Sequence, residues 1–202
     1  MALIALGMVI YRSLDRFRSE HTSFTAPIAR IRLEEEWQAV VEQHESLLRQ
    51  YLHAETDWDM LFNYPALIDV TVPSTSRMIS AMHEAGQLSR SFPAAEITDT
   101  TNIASLQYPR AVAQFQLAWD QAEAYARKAG QSMLPAADRK TIREIRICLD
   151  MAEDPAASSQ ERLLAARRAR SLMDSLTSLN VPLKALDAIE SVQRLSIEAA
   201  AR

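Results

Sequence analysis

The side chains with which this chain could do chemistry are few: four histidines, one cysteine and a short run of alternating acids. His21, His44, His53 and His83 contain no pair spaced by four, the separation at which a helix presents two zinc ligands on one face. No glutamate stands three residues before a histidine, which is the di-iron spacing of helical bundles. His53, Glu55, Asp57 and Asp59 alternate by two. That collects side chains on one face of a strand and scatters them around a helix, so they are expected as solvated acids, with no metal bound.

Nucleophiles fare no better. Cys148 follows Ile145 by three and adjoins Leu149, the placing of a packed structural thiol, with no neighbour in sequence to activate it. No Gly-x-Ser-x-Gly turn is present. Gly7, Gly86 and Gly130 are isolated, so no glycine loop can cradle a phosphate. Glu34, Glu35 and Glu36 are consecutive and point in different directions on a helix. The expectation is no catalytic residue, no cofactor, no small-molecule ligand and no enzyme.

Basic residues form two sets: Arg139, Lys140, Arg143 and Arg146, then Arg162, Arg167, Arg168 and Arg170. Six acids interleave with them, so a salt-bridged solvated surface is expected, and nucleic acid is not an expected partner. Trp58, Phe62 and Tyr64 concentrate aromatic area in seven residues. They are candidates for docking another protein, the alternative being a plug at the end of a bundle.

The elements that must position these residues are helical. The chain has 202 residues, 48% hydrophobic and 24% charged, with only three glycines. Folds built on many positive-φ turns need more glycine than that. The length suits one domain, or one domain plus an appendage. A net charge of -4 creates no field that attracts nucleic acid, and a single cysteine allows no intramolecular disulfide, which favours the reducing cytoplasm.

The amino end is different in kind. Met1 to Tyr11 is uncharged and almost wholly apolar, and Arg12, Arg16 and Arg18 follow. A secretory signal has the opposite order, and a membrane span needs about 20 apolar residues. The run therefore reads as part of a membrane anchor with a basic cytoplasmic flank, or as a helix docked on the protein's own core. Residues 12 to 32 carry a net +3 and residues 33 to 59 a net -7, which sharpens the flank.

From His21 to Pro27 a break is expected, then a long helix to about Ala54. On it Leu33, Trp37, Val40, His44, Leu47 and Tyr51 alternate by four and three, with Val41, Leu48 and Leu52 widening the stripe. Ile68 to Val72 reads as an extended connector. Pro73 starts a helix that Gly86 stops, and Gln87 to Gln107 is a polar loop and the place where the chain would divide. Pro109 opens a helix that Gly130 ends, with Val112, Phe115, Trp119 and Ala122 inward. Asp138 or Thr141 caps the next, with Ile142, Ile145 and Leu149 inward and Asp154-Pro155 ending it. Ser158 and Glu161 form a capping box for a helix whose apolar positions include Leu164, Leu172, Leu176 and Leu179, with small alanines such as Ala165 and Ala169 between. A last helix turns Leu183, Leu186, Ile189 and Val192 inward.

Within this half, Ile142-Arg-Glu-Ile145, Ala152-Glu-Asp-Pro155 and Ala166-Arg-Arg-Ala169 give residues 142–180 a limited likeness. The stretch resembles short helical-hairpin domains of unknown function found in some bacterial and phage proteins. The resemblance implies a helical hairpin and no activity.

The sequence thus predicts an all-α fold, a bundle of about five or six helices led by one long helix. Residues 1–24 are an apolar stub with a basic flank and 25–202 a helical domain, divided if anywhere at 87–107. The expected role is a non-enzymatic adaptor or scaffold that binds another protein, cytoplasmic and at the inner face of the membrane. The alternative is a soluble helical protein, self-associating or not, whose first helix packs on its own core.

Overall fold

The computed structural model describes residues 2–89, 92–93, 97–98, 100–187 and 189, with side chains from Ile28 onward. It is all-α. Helices make up 79% of the structure and there is no strand among the described residues. The α-helices are α1 (Ala2–Thr56), α2 (Trp58–Asn63), α3 (Pro73–Leu88), α4 (Gln107–Ala129), α5 (Ala136–Glu153) and α6 (Ser159–Met173). Short 3-10 turns occupy Pro65–Leu67, Ile103–Ser105 and Gly130–Met133.

α1 departs from expectation at its middle. The break expected over 21–27 is absent from the backbone, because helix formers on both sides carry the helix through. Pro27 has no amide hydrogen, so it removes one ladder bond without ending the helix. The long stripe packs as the spacing predicts: Leu33, Trp37, His44 and Leu47 are buried, with Val40, Val41 and Tyr51 packed beside them. Leu48 and Leu52 stay exposed.

Two apolar clusters form the interior. The first joins the inward face of α1 to Met78 and Ala85 of α3 and to Tyr108, Val112, Phe115, Trp119 and Ala122 of α4. Thr75 belongs to this region and is fully buried, its hydroxyl donating to the Ala66 carbonyl at 2.6 Å. The second joins Leu61 and Phe62 of α2 to Leu134, to Ile142, Ile145 and Leu149 of α5, and to Met173 of α6. Both helices that flank the 87–107 connection contribute to the first cluster; the change to the second comes beyond Gly130.

Local chemistry explains most of the boundaries. Gly130 has φ +49°, the left-handed region that favours glycine, and it turns the chain out of α4. Gly86 keeps a negative φ, so α3 runs past it to Leu88. Residues 68–72 form turns closed by the Thr71 amide on Asp69 Oδ1 at 2.8 Å, where an extended connector was expected.

The capping box of α6 is complete. The Glu161 amide donates to Ser158 Oγ, and the Ser158 amide donates to Glu161 Oε2 at 2.9 Å. The Ser158 hydroxyl, donating to Glu161 Oε2 at 2.7 Å, and then the Ser158 amide hold the Glu161 carboxyl below its ordinary range. Ser158→Ala is expected to cost about 1 kcal/mol in urea denaturation, while Ser159→Ala, one residue inside the helix, leaves the midpoint in place. Equal effects from the two would show that the cap contributes nothing.

Packing of α6 sorts the apolar positions that the sequence offers. Ala165, Ala166, Ala169 and Met173 are buried, whereas Leu164 is exposed and Leu172 and Leu176 only flank the cluster. Alanine wins because small side chains let α5 and α6 approach closely, and the leucines then have no room between them. Leu183 is likewise outward at 79% exposure, while Leu186 and Ile189 face inward; Val192 lies outside the described residues.

Candidate functional site

The acidic and aromatic segment singled out in sequence, His53 to Tyr64, sits where α1 ends and the two clusters meet. α2 starts there because Asp57 caps it, its carboxylate accepting from the Met60 amide at 2.8 Å. Asp59 pairs with Arg146 of α5 at 2.8 Å, and the same guanidinium donates to Asn63 Oδ1 at 3.1 Å. Glu55 accepts from the Tyr51 hydroxyl at 2.7 Å and from Lys184 Nζ at 2.9 Å. Burial and the Glu55 carboxylate push the Tyr51 phenol well above its ordinary range, so it stays a neutral donor. His53 is exposed. Asp59 and Glu55 therefore tie α5 and the segment after α6 to this junction, while Asp57 caps α2 itself.

The three aromatics have separate fates. Phe62 is fully buried in the second cluster and offers no surface to a partner. Trp58 stacks on it, ring centroids 5.9 Å apart and planes 16° from parallel. Tyr64 is half-buried beneath Arg127, whose guanidinium lies 5.2 Å from the ring centre. The Gln131 amide closes the junction by donating to the Phe62 carbonyl at 2.8 Å. Trp58 and Tyr64 thus keep only partial faces toward solvent, and their packed faces serve the junction. Short helices expose and bury residues in ways that periodicity over six positions cannot separate.

Among the described residues no group of three or more His, Cys, Asp or Glu is placed to hold a metal ion. Cys148 is free and half-buried against the second cluster. Several members of the basic sets are engaged locally: Arg139 donates to the Leu134 carbonyl, Arg146 holds Asp59, and Arg170 pairs with Asp174 at 3.2 Å. A groove of about 420 Å³ runs along α3 and α4, lined by Arg77, Ala81, Glu84, Gln114, Ala118 and Gln121, and it lies wide open to solvent.

Two polar positions escaped sequence reasoning. Asp138, expected as a cap of α5, lies in its first turn and is buried. It accepts from the amides of Thr177 and Ser178 and from both hydroxyls, the Ser178 amide at 2.8 Å. The Ser178 hydroxyl bond foremost holds its carboxyl below the ordinary range, against the opposing effect of burial. His44, placed on the α1 stripe by its spacing, is only 4% exposed and shares a 3.0 Å hydrogen bond between Nδ1 and the Tyr108 hydroxyl of α4. No sequence signal marks either partnership, since the partners are 39 to 64 positions away.

No protein family, curated protein or solved structure matches this chain. The geometry must carry the functional reading alone.

The amino end supplies the remaining facts. Ile28 and Ile31 of α1 are 62% and 56% exposed, and Leu33 begins the buried stripe. Arg30 and Arg32 pair along the helix with Glu34 and Glu36 at 3.0 and 3.5 Å. The side chains of Met1 to Tyr11 and of Arg12, Arg16 and Arg18 lie outside the described residues. Among the described residues no helix is long and apolar enough to cross a membrane.

Proposed function

We propose that the protein is a non-enzymatic, membrane-proximal helical adaptor that holds a partner protein at the cytoplasmic face. One observation carries this reading. α1 has 55 residues and α4 only 23, about 82 Å against about 35 Å at 1.5 Å per residue. Among the described side chains of α1, the buried stripe that joins it to the bundle starts at Leu33, just after exposed Ile28 and Ile31. Among the residues whose side chains are described, the bundle thus engages α1 from Leu33 onward, and the sequence before them bears the apolar Met1 to Tyr11 and the arginines behind it.

Apolar side chains left on outer faces support the binding of a protein. Ile147 and Met151 stand one turn apart on α5, and Leu164 on α6 is also uncovered. Deleting residues 1–18 tests the attachment. The shortened protein should leave the membrane fraction for the supernatant with its Tm unchanged and its helical circular dichroism reduced only by the residues removed. A large fall in Tm would place the deleted segment in the core, and an unchanged distribution between fractions would remove the membrane from the proposal.

A further inference from the structure

The α1–α4 seam contains a histidine whose protonation the surrounding structure opposes. His44 is buried between the helices, its ring edge-on to Phe115 with centroids 6.2 Å apart and to Tyr108 at 5.7 Å. Nδ1 has the Tyr108 hydroxyl; Nε2 is buried and has no hydrogen-bond partner. One heptad earlier on the same stripe, Trp37 packs against Tyr108 and Phe92, and its indole nitrogen is buried and unpaired as well. The seam is aromatic and poor in acceptors just where α1 joins α4.

The groups acting on the ring are few. On α1 the adjacent Glu45 favours the charged form, but burial outweighs it and the imidazole is held below its ordinary range. On α4 the facing titratable group is Tyr108, kept protonated chiefly by its own burial while the Ser89 side chain hydrogen-bonds its hydroxyl. Phe115 of α4, Phe92 of the connection after α3 and Ile103 of the following 3-10 turn are neutral. The Nδ1–Tyr108 bond runs in either direction with the tautomer, and Nε2 is without a partner in both. In the doubly protonated ring both nitrogens donate, so the Tyr108 hydroxyl must accept from Nδ1 and the Nε2–H is left facing apolar wall.

We propose that His44 is an acid-sensitive latch: protonation drives its ring from the seam and releases α1 from α4. The sign follows from linkage. The folded seam binds the proton less readily than the unfolded chain, whose histidine titrates near pH 6.5. Stability is therefore full above about pH 6.5 and falls as the pH drops through that value. The fall is at most tenfold in the closing equilibrium per pH unit, one proton being involved. This latch does not depend on what the amino end attaches to.

Hydrogen exchange on the full-length chain between pH 7 and pH 5.5, corrected for intrinsic exchange rates, reads the latch. Amides of α1 from Leu33 to Tyr51 should open several-fold more readily at the lower pH, while those of α5 and α6 do not change. In His44→Leu, which keeps an apolar residue on the stripe, that pH dependence should vanish. An identical response in wild type and His44→Leu would overturn the latch. Should His44→Leu not fold, an NMR titration of the wild-type imidazole decides instead. A ring that titrates near pH 6.5 without change in α1 exchange also overturns it; one that stays neutral until α1 opens supports it.

Discussion

Phe62→Ala should lower the stability of the protein by about 3–5 kcal/mol, the usual cost of emptying a core site of a phenyl ring. The ring is fully buried, and Trp58 stacks on it, so its loss opens a cavity and removes the support of a second aromatic. Chemical denaturation followed by circular dichroism measures the loss. Trp58 fluorescence should report the change in the native state, because its stacking partner is gone. A residue that served a binding surface would behave differently: the alanine variant would keep its midpoint and lose only a partner. A midpoint within about 0.5 kcal/mol of wild type would therefore contradict the buried placement.

The second large effect is expected at Asp138. Its carboxylate gathers the amides and hydroxyls of Thr177 and Ser178, which fastens the segment after α6 to the first turn of α5. Asp138→Ala leaves those amides without their acceptor and should cost about 3 kcal/mol, since hydrogen bonds to a charged group exceed neutral ones. The pH profile separates charge from shape. A carboxyl held below its ordinary range stabilises the fold above about pH 4, and that contribution is lost as the pH falls through its folded value. Asp138→Asn should therefore flatten the acid limb of the stability profile. If wild type and Asp138→Asn lose stability in parallel between pH 5 and pH 2.5, the clamp does not depend on ionised Asp138.

How much of this was legible in the residues varies with the range of the interactions. The 4-3 spacing from Leu33 to Tyr51, the inward set on α4 and the Ser158–Glu161 box are local signals, and the helices they predict are present. What failed depends on distant residues. Glu55 reads as a solvated acid until Lys184, 129 positions later, is brought beside it. Asp138 reads as a cap until Ser178 reaches it. Leu164 and its neighbouring alanines read alike as apolar positions of one helix, and only the packing with α5 decides that the alanines are buried and Leu164 is not. Residues 21–27 read as a break with Pro27 opening a new helix, yet the preference of its neighbours for helix outweighs one missing bond.

Leu61 and Phe62 belong to an interior otherwise supplied by residues 134 to 189. During synthesis they leave the ribosome long before anything can cover them. About eighty further residues must emerge before Ile142 is available, a wait of roughly 4–16 s at translation rates of about 5–20 residues per second. Through that interval the nascent chain displays an uncovered Leu-Phe pair beside Trp58, the kind of apolar segment that chaperones hold. Production of this protein thus depends on the pace of its own second half, and a ribosomal pause between α4 and α5 would lengthen the exposure.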